Sequence, residues 1–273
     1  MSSTHEHIVD REFSPVIALA GDLETTPEIN LSAGEPTLVL PKTRITTRYE
    51  VLKRTIDIVI ASFILLLTSP IILLSCLIVR LTSRGPSIYT QVRLGKYRKP
   101  FVIYKLRSMY HDCERFSGIR WCSKNDNRIT PFGTFLRKSH IDELPQLWNV
   151  LRGEMSLIGP RPERPELISK LQNQIPNYLE RLLVKPGLTG LAQIQLPPDA
   201  DIESVRKKLL VDCVYIEHLS FWLDCRIFIA TFLYLLGVPQ WKIRNMLKLP
   251  FPQELLIASN NTHAPIRETV DSL

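Results

Sequence analysis

The chain has 273 residues, 45% of them hydrophobic and 22% charged, with 34 Lys+Arg against 27 Asp+Glu. That length suits one domain with appendages or at most two, and the composition is that of a globular chain. Five cysteines leave one unpaired and show no C-x-x-C spacing, which argues against a disulfide framework and fits a reducing compartment.

Residues 1–43 hold seven acids (Glu6, Asp10, Glu12, Asp22, Glu24, Glu28, Glu35) and two bases (Arg11, Lys42), so the remaining chain carries a net +12. A basic body suggests anionic partners such as phosphorylated substrates, acidic lipid headgroups or nucleic acid. The start, "MSSTHEHIVDREF", lacks the basic-then-apolar order of a signal peptide. With scattered prolines and no sustained period, this stretch reads as a flexible leader, taken here as residues 1–49.

Ile58–Val79, "IVIASFILLLTSPIILLSCLIV", contains no Asp, Glu, Lys, Arg or His. It is long enough to cross a bilayer core, for which about 20 apolar residues suffice. Pro70 at its centre lacks a backbone N–H and crowds the carbonyl of Leu66, so a kink is expected. Ser69 beside it can satisfy freed backbone groups. Lys53 and Arg54 precede the run, and Arg80 and Arg84 follow it, whereas basic flanks mark cytoplasmic ends. Residues 50–84 therefore admit two readings, a straight span and a re-entrant helix that enters and leaves by one face.

"SIYTQVR" (Ser87–Arg93) and "FVIYKLR" (Phe101–Arg107) are β-prone runs around a basic loop and predict a small hairpin. Beyond it, His111, Cys113 and Cys122 lack a fourth ligand at sensible spacing for zinc. Thr130-Pro131 predicts a capped helix through Arg137, and another is expected over Leu144–Arg152. Glu163–Val184, kinked near Pro176, and Ile202–Ser220 read as further helices. "IFIATFLYLLGV" (Ile227–Val238) is too short to span; with Trp222 and Trp241 beside it, it suits a helix lying in the interface or a buried core helix. The fold class is therefore mainly α with one small β-hairpin element.

"SHIDELPQLWNVLRG" sets Asp142 and Glu143 side by side ahead of a proline. Adjacent helical residues point about 100° apart, so one could face a reacting phosphorus while the other holds a cation. Magnesium, commonly bound by one or two carboxylates plus substrate phosphates, suits that role. The plain alternative is two acids favouring the positive end of a helix. Lys105, Arg107, Arg137 and Arg161 supply positive charge, and prolines on both sides of Arg161 restrict its backbone. A fixed, planar guanidinium suits phosphate or a flat polar base.

Together, "KRTIDIVIASFILLLTSPIILL", "GPSIYTQVRLGKYRKPFVIYKLRSM", "RITPFGTFLRKSHIDELPQLWNVLRGEMSLIGPRPE" and "KPGLTGLAQI" resemble the bacterial sugar transferase family, the monotopic phosphoglycosyl transferases. The likeness covers about residues 50–240, with four motifs in order. It implies transfer of a sugar 1-phosphate from a UDP-sugar to polyprenyl (undecaprenyl) phosphate, with release of UMP, at the start of exopolysaccharide, capsule or other surface-glycan synthesis. It further implies that Asp142 is a nucleophile that takes the phosphosugar covalently and that Glu143 serves a Mg²⁺ site. Lys105 and Arg137 would contact phosphate, and Arg161 the nucleotide. Ser69-Pro70 matches the break of a re-entrant helix, which selects the monotopic reading of residues 50–84. A catalytic domain with interfacial helices over residues 85–249 would then lie on the cytoplasmic face of the bacterial inner membrane, followed by a tail at 250–273. Larger members carry an additional multi-span domain before this core, so the chain is expected to be the small form. Expected partners are the UDP-sugar, the polyprenyl phosphate, membrane lipid and, in an oligomer, a second copy of the chain as a homodimer.

Two other classes compete. A membrane-anchored basic scaffold or lipid-binding protein would show no turnover and no dependence on Asp142. A nucleic-acid binder would need aromatic residues interleaved with the bases, and the long apolar run argues against it, so no nucleic acid is expected.

Overall fold

The computed structural model of the protein describes residues 46–113 and 126–252. The expectations for the leader up to residue 45, for Cys122 and for most of the tail fall outside the described residues; Thr47–Tyr49, expected in the leader, are the first residues of the long helix. Helix α1 covers Thr47–Thr82, 36 residues, or about 54 Å if straight. It stays helical through Pro70. The Leu66 carbonyl, which proline leaves without its helical donor, accepts from the Ser69 hydroxyl at 2.9 Å, and Thr68 donates to Ile64 O at 2.7 Å. The hydroxyl compensation expected from sequence is present, within a helix that does not break.

α1 is not a core helix. Leu66 and Leu73 are 76% and 70% exposed, and Phe63, Leu67, Leu74 and Leu77 are exposed with them. It is long and apolar enough to cross a membrane, and such an unpaired apolar surface marks a membrane protein. Its narrow buried stripe is Asp57, Ala61, Ser75 and Val79.

Strands β1 (Ile88–Leu94) and β2 (Pro100–Leu106) form the expected antiparallel hairpin, with Ile88 opposite Leu106 and Leu94 opposite Pro100. Asn149, fully buried, accepts from Tyr104 N at 3.2 Å and donates to Val102 O at 2.6 Å, so the open edge of β2 is satisfied by a side chain. Helix α2 (Pro131–Lys138) opens as predicted: the Thr130 hydroxyl accepts from Gly133 N at 2.9 Å and Pro131 sits in the first turn.

The sequence reading of one helix over Leu144–Arg152 is corrected. Ile141–Gln146 form a 3₁₀ turn, and α-helix α3 occupies only Leu147–Arg152 before Gly153 ends it at φ 84°. Pro145 cannot donate to an α-helical ladder, which favours the tighter turn.

A second sheet, absent from the single β element expected, pairs β3 (Ser156–Ile158) in parallel with β4 (Gly187–Thr189). Three-residue strands carry too little periodicity to be read from sequence. The predicted kinked helix over Glu163–Val184 is two separate pieces, α4 (Pro165–Leu171) and a 3₁₀ helix at Tyr178–Leu183. Pro176 and the left-handed Asn177 (φ 59°) divide them. Helices α5 (Leu191–Gln195), α6 (Ile202–Glu217), α7 (Phe221–Leu235) and α8 (Gln240–Leu247) complete the order. α7 has one core face and one exposed apolar face: Leu223, Ile227 and Ala230 are buried, while Trp222, Ile229, Phe232 and Leu235 are exposed.

One main core gathers Ala61, Ile103, Leu147, Met155, Leu191 and Ile227 from α1, β2, α3, the β3 edge, α5 and α7. A second, smaller cluster joins α1 through Val79 to Leu106 of β2 and Leu136 of α2.

Candidate active site

Asp142 and Glu143 sit on the 3₁₀ turn, where successive side chains diverge by about 120°, and their surroundings differ accordingly. Glu143 Oε1 accepts from Lys105 Nζ at 2.8 Å and from Arg161 Nη2 at 2.7 Å. Both cations converge on one oxygen, and Oε2 has no partner among the described residues. Burial alone would raise the Glu143 pKa, but Arg161 and Lys105 outweigh it and hold the carboxyl well below the usual range. Lys105 is lowered by burial, with Glu143 opposing that effect.

Asp142 is buried, and its carboxylate has no hydrogen-bond partner among the described residues. Burial, then the charge of Glu143, pushes its pKa up to about 6, against the pull of Lys105, Arg137 and His140. The pair therefore holds one firmly ionised, cation-bound carboxylate and one poorly solvated carboxylate with free lone pairs. A carboxylate with a raised pKa beside a cationic field marks a candidate reactive site.

The scaffold explains how these groups meet. Lys105 is on β2, held by the Asn149 clasp. Arg137 closes α2, and its charge acts on Asp142. Arg161 lies in the Gly159–Glu163 loop, whose backbone is tied at several points. Arg181 donates to Arg161 O at 3.2 Å and Arg93 to Pro162 O at 3.3 Å, while Gly187 N donates to Pro160 O at 2.8 Å. The "GPRP" and "KPGLTG" motifs touch backbone to backbone: a Cβ on Gly187 would lie 2.1 Å from Gly159 N, and one on Gly190 2.1 Å from Gly159 O. Glycine is required there because nothing larger lets the two segments approach.

Arg107 is placed elsewhere. Its Nη2 donates to Ser83 O at 2.8 Å and Ser83 Oγ at 2.7 Å, at the end of α1. It thus fastens the hairpin to α1, and no described contact joins it to the acidic pair.

Sequence reasoning missed the support beneath Arg161. Arg181 is buried against Asp212, with Nη2 to Oδ2 at 2.9 Å, and donates to the Tyr178 hydroxyl at 2.8 Å. Burial lifts the Asp212 carboxyl to about 6 even with Arg181 beside it. A lone Asp in the apolar run "LLVDCVY" was the available signal. His140, in the left-handed region at φ 55°, is a second omission; no pattern marks it.

Lys105, Arg137 and Asp142 are each the sequence neighbour of a residue clustered with the second half of α1. Leu106, Leu136 and Ile141 join Ile72, Cys76 and Val79 in one cluster, and they adjoin Lys105, Arg137 and Asp142. The acidic pair is therefore built directly beside the apolar helix.

Comparison with known proteins gives the family. The family model for bacterial sugar transferases matches residues 48–237, so the chain belongs to the bacterial sugar transferase family. It is 41% identical over 183 residues to a UDP-N-acetylgalactosamine-undecaprenyl-phosphate N-acetylgalactosaminephosphotransferase of Aeromonas hydrophila, covering 67% of this chain and 43% of that protein. A putative undecaprenyl-phosphate N-acetylgalactosaminyl 1-phosphate transferase of Bacillus subtilis is 51% identical over 137 residues, 50% of this chain and 76% of the relative. A UDP-glucose:undecaprenyl-phosphate glucose-1-phosphate transferase of Caulobacter vibrioides is 38% identical over 209 residues, 76% of this chain and 75% of the relative. The match thus spans less than half of the Aeromonas protein.

Proposed function

We propose that this bacterial sugar transferase moves a sugar 1-phosphate from a UDP-sugar to polyprenyl phosphate through a covalent phosphosugar on Asp142. The observation that carries the reading is the division between the two carboxylates: Glu143 is bound by Lys105 and Arg161, while Asp142 is buried with no hydrogen-bond partner among the described residues. An Asp142 oxygen attacks the phosphorus that bears the sugar. The P–O bond to the bridging oxygen breaks, and UMP leaves with the electron pair. An oxygen of the lipid phosphate then attacks the same phosphorus and restores the Asp142 carboxylate. Lys105, Arg137 and Arg161 would offset the charge that gathers on the phosphoryl oxygens in both steps.

Magnesium fits the donor set. Among the described residues no three acidic, His or Cys side chains gather into a metal cage; two adjacent carboxylates with free oxygens suit an ion that shares its shell with a diphosphate. Glu143 Oε2 and Asp142 are the groups that would hold it. When bound, the ion would neutralise diphosphate charge and favour departure of UMP.

The packing of α1 supports a one-sided, monotopic arrangement. Near its start, Lys53 pairs with Asp224 at 2.8 Å and Arg54 donates to Val150 O and Leu151 O; near its end, Ser87 donates to Cys76 O at 2.8 Å. The hairpin runs beside it between these points, its tip joined by Lys96 to Glu50 at 2.7 Å. A body that follows the helix from end to end could accompany it across a bilayer only by crossing as well. A helix that bends within one leaflet near Ser69-Pro70 while staying helical, with the body on the cytoplasmic face of the inner membrane, would avoid that.

The test is UMP release by the purified full chain from a panel of UDP-hexoses and UDP-N-acetylhexosamines with polyprenyl phosphate. Intact-protein mass spectrometry without acceptor should show one added phosphosugar on the peptide holding Asp142. An adduct on another peptide, or turnover by Asp142→Asn, would overturn the assignment.

A further inference from the structure

A cavity of about 190 Å³, with a mainly apolar wall that carries several charged side chains, lies at the other end of α3 from the acidic pair and shares no lining residue with it. That volume is below the ~300–1,000 Å³ of drug-sized ligand sites and suits one small headgroup. Its charged lining is Lys53, Arg54, Lys96 and Lys185 against Glu50 and Asp57. Both acids are already engaged, Glu50 with Lys96 at 2.7 Å and Asp57 Oδ1 with Leu157 N at 3.0 Å. Lys53 is paired with Asp224, and the two Arg54 amino groups are spent on the carbonyls that end α3.

Lys185 is different. It is partly buried, yet its ammonium has no hydrogen-bond or ion-pair partner among the described residues. A Cβ on Gly153 would lie 3.3 Å from an Arg54 nitrogen and 3.7 Å from Lys185 Nζ, so these two like charges face one small gap. Burial, then Arg54, lowers the Lys185 pKa; Asp57 opposes them, and the smaller effects of Lys96 and Glu50 follow in opposite senses. With Asp224 counted as the partner of Lys53, four cations face three acids around the void, a net +1, and among the described residues Lys185 is the cation left without a hydrogen-bond or ion-pair partner. A bound anion relieves that repulsion.

The position of the cavity indicates where the anion comes from. α1 contributes Tyr49, Glu50, Lys53, Arg54 and Asp57, one face of its first turns, and the uncharged run begins at the next residue, Ile58. Val51, Leu52 and Val59 on the other faces are exposed apolar groups. Leu219, just ahead of α7 and its exposed Trp222, closes another side. The void therefore sits at the polar boundary of a lipid-facing helix, where basic residues meet acidic headgroups.

We propose that this cavity is a binding site for the phosphodiester headgroup of an acidic membrane phospholipid, with Lys185 as its principal contact. The bound lipid would fix the start of α1 at headgroup depth and hold α1, α3 and the β4 edge together.

The test uses the detergent-purified full chain and dihexanoyl phosphatidylglycerol as probe, with dihexanoyl phosphatidylcholine and inorganic phosphate in parallel. Acylation of Lys185 by acetic anhydride is followed by peptide mass spectrometry, and binding by native mass spectrometry. Phosphatidylglycerol should protect Lys185 saturably, with phosphatidylcholine and phosphate far weaker. Lys185→Gln should weaken phosphatidylglycerol binding roughly ten- to hundredfold, the range for loss of one charged hydrogen bond. Protection on the unaltered protein decides the matter if the variant fails to fold. Absence of protection, equal protection by phosphatidylcholine, or equal protection by inorganic phosphate would overturn the proposal; the last result would assign the cavity to a free anion.

Discussion

Replacing Asp142 by Asn should remove activity and make the protein more stable. The carboxyl is held at about 6 instead of the usual 3.8 by burial and by Glu143. At neutral pH its ionised form therefore carries roughly 3 kcal/mol of unfavourable free energy relative to the unfolded chain. Asparagine has nearly the same shape and no charge, so the variant escapes that cost, and a gain of about 1–3 kcal/mol is expected. For a body of this size that is about 2–10 °C in Tm. The sign with pH is fixed. The folded carboxyl binds its proton more tightly than the unfolded one, so the native protein loses stability as pH rises from about 4 to about 6 and carries the full penalty above. The advantage of Asp142→Asn should accordingly be complete at pH 7.5 and shrink towards zero at pH 4. Thermal unfolding of both proteins in one detergent across that range, with UMP release alongside, is the assay. A variant that is less stable at pH 7.5, or equally more stable at every pH, would show that Asp142 is not held as an under-solvated anion.

Glu143→Gln should act in the opposite sense, because it strands Lys105 and Arg161. A loss of about 1–3 kcal/mol in thermal unfolding is expected, with a right-shifted Mg²⁺ dependence of UMP release; unchanged stability would refute the ion-pair account. The rate of the first half-reaction should rise with pH along an acid limb near 6, the pKa of Asp142; a limb below 4 would contradict it. Arg161→Ala should raise the KM for the UDP-sugar about tenfold or more while leaving polyprenyl phosphate kinetics nearly unchanged, and the reverse pattern would move Arg161 to the acceptor side. Cysteines introduced at the exposed Arg48 and Lys99, in a background lacking the native thiols, should resist a membrane-impermeant reagent on intact cells and react once cells are opened; outward labelling of Arg48→Cys would mean that α1 spans.

The parts of the fold with sustained period or strong punctuation were legible in the sequence. Thr130-Pro131 announced α2, the β-branched and aromatic runs announced the hairpin, and the uncharged Ile58–Val79 announced α1. The two β3–β4 strands were not legible, because their pairing is fixed by Gly159, Gly187 and Gly190 approaching one another over some 30 residues of chain. The acidic pair could be seen, but not its asymmetry. Which carboxylate is bound by cations depends on the 3₁₀ turn imposed by Pro145 and on Arg161, 18 residues away. Arg107 reads like Lys105 in "YKLR", two residues apart in an extended run, yet its backbone lies beyond the end of β2 and its guanidinium turns to Ser83.

The position of the acidic pair relative to α1 bears on how a lipid phosphate and a water-borne nucleotide can share one phosphorus. Lys105, Arg137 and Asp142 each follow or precede a residue buried against Ile72–Val79, so the cationic side of the pair is anchored on the helix whose other faces are lipid-exposed. Arg161 instead hangs from the β3–β4 region, tied to Arg93 and Arg181 and remote in sequence from α1. A donor diphosphate held by Arg161 and an acceptor phosphate held by Arg137 would thus approach from the body side and the bilayer side. Carboxylate catalysis suits that division. On the proposed mechanism the two substrates would never need to be present together: Asp142 would keep the phosphosugar on the protein while UMP departed to water and the lipid phosphate moved up along α1.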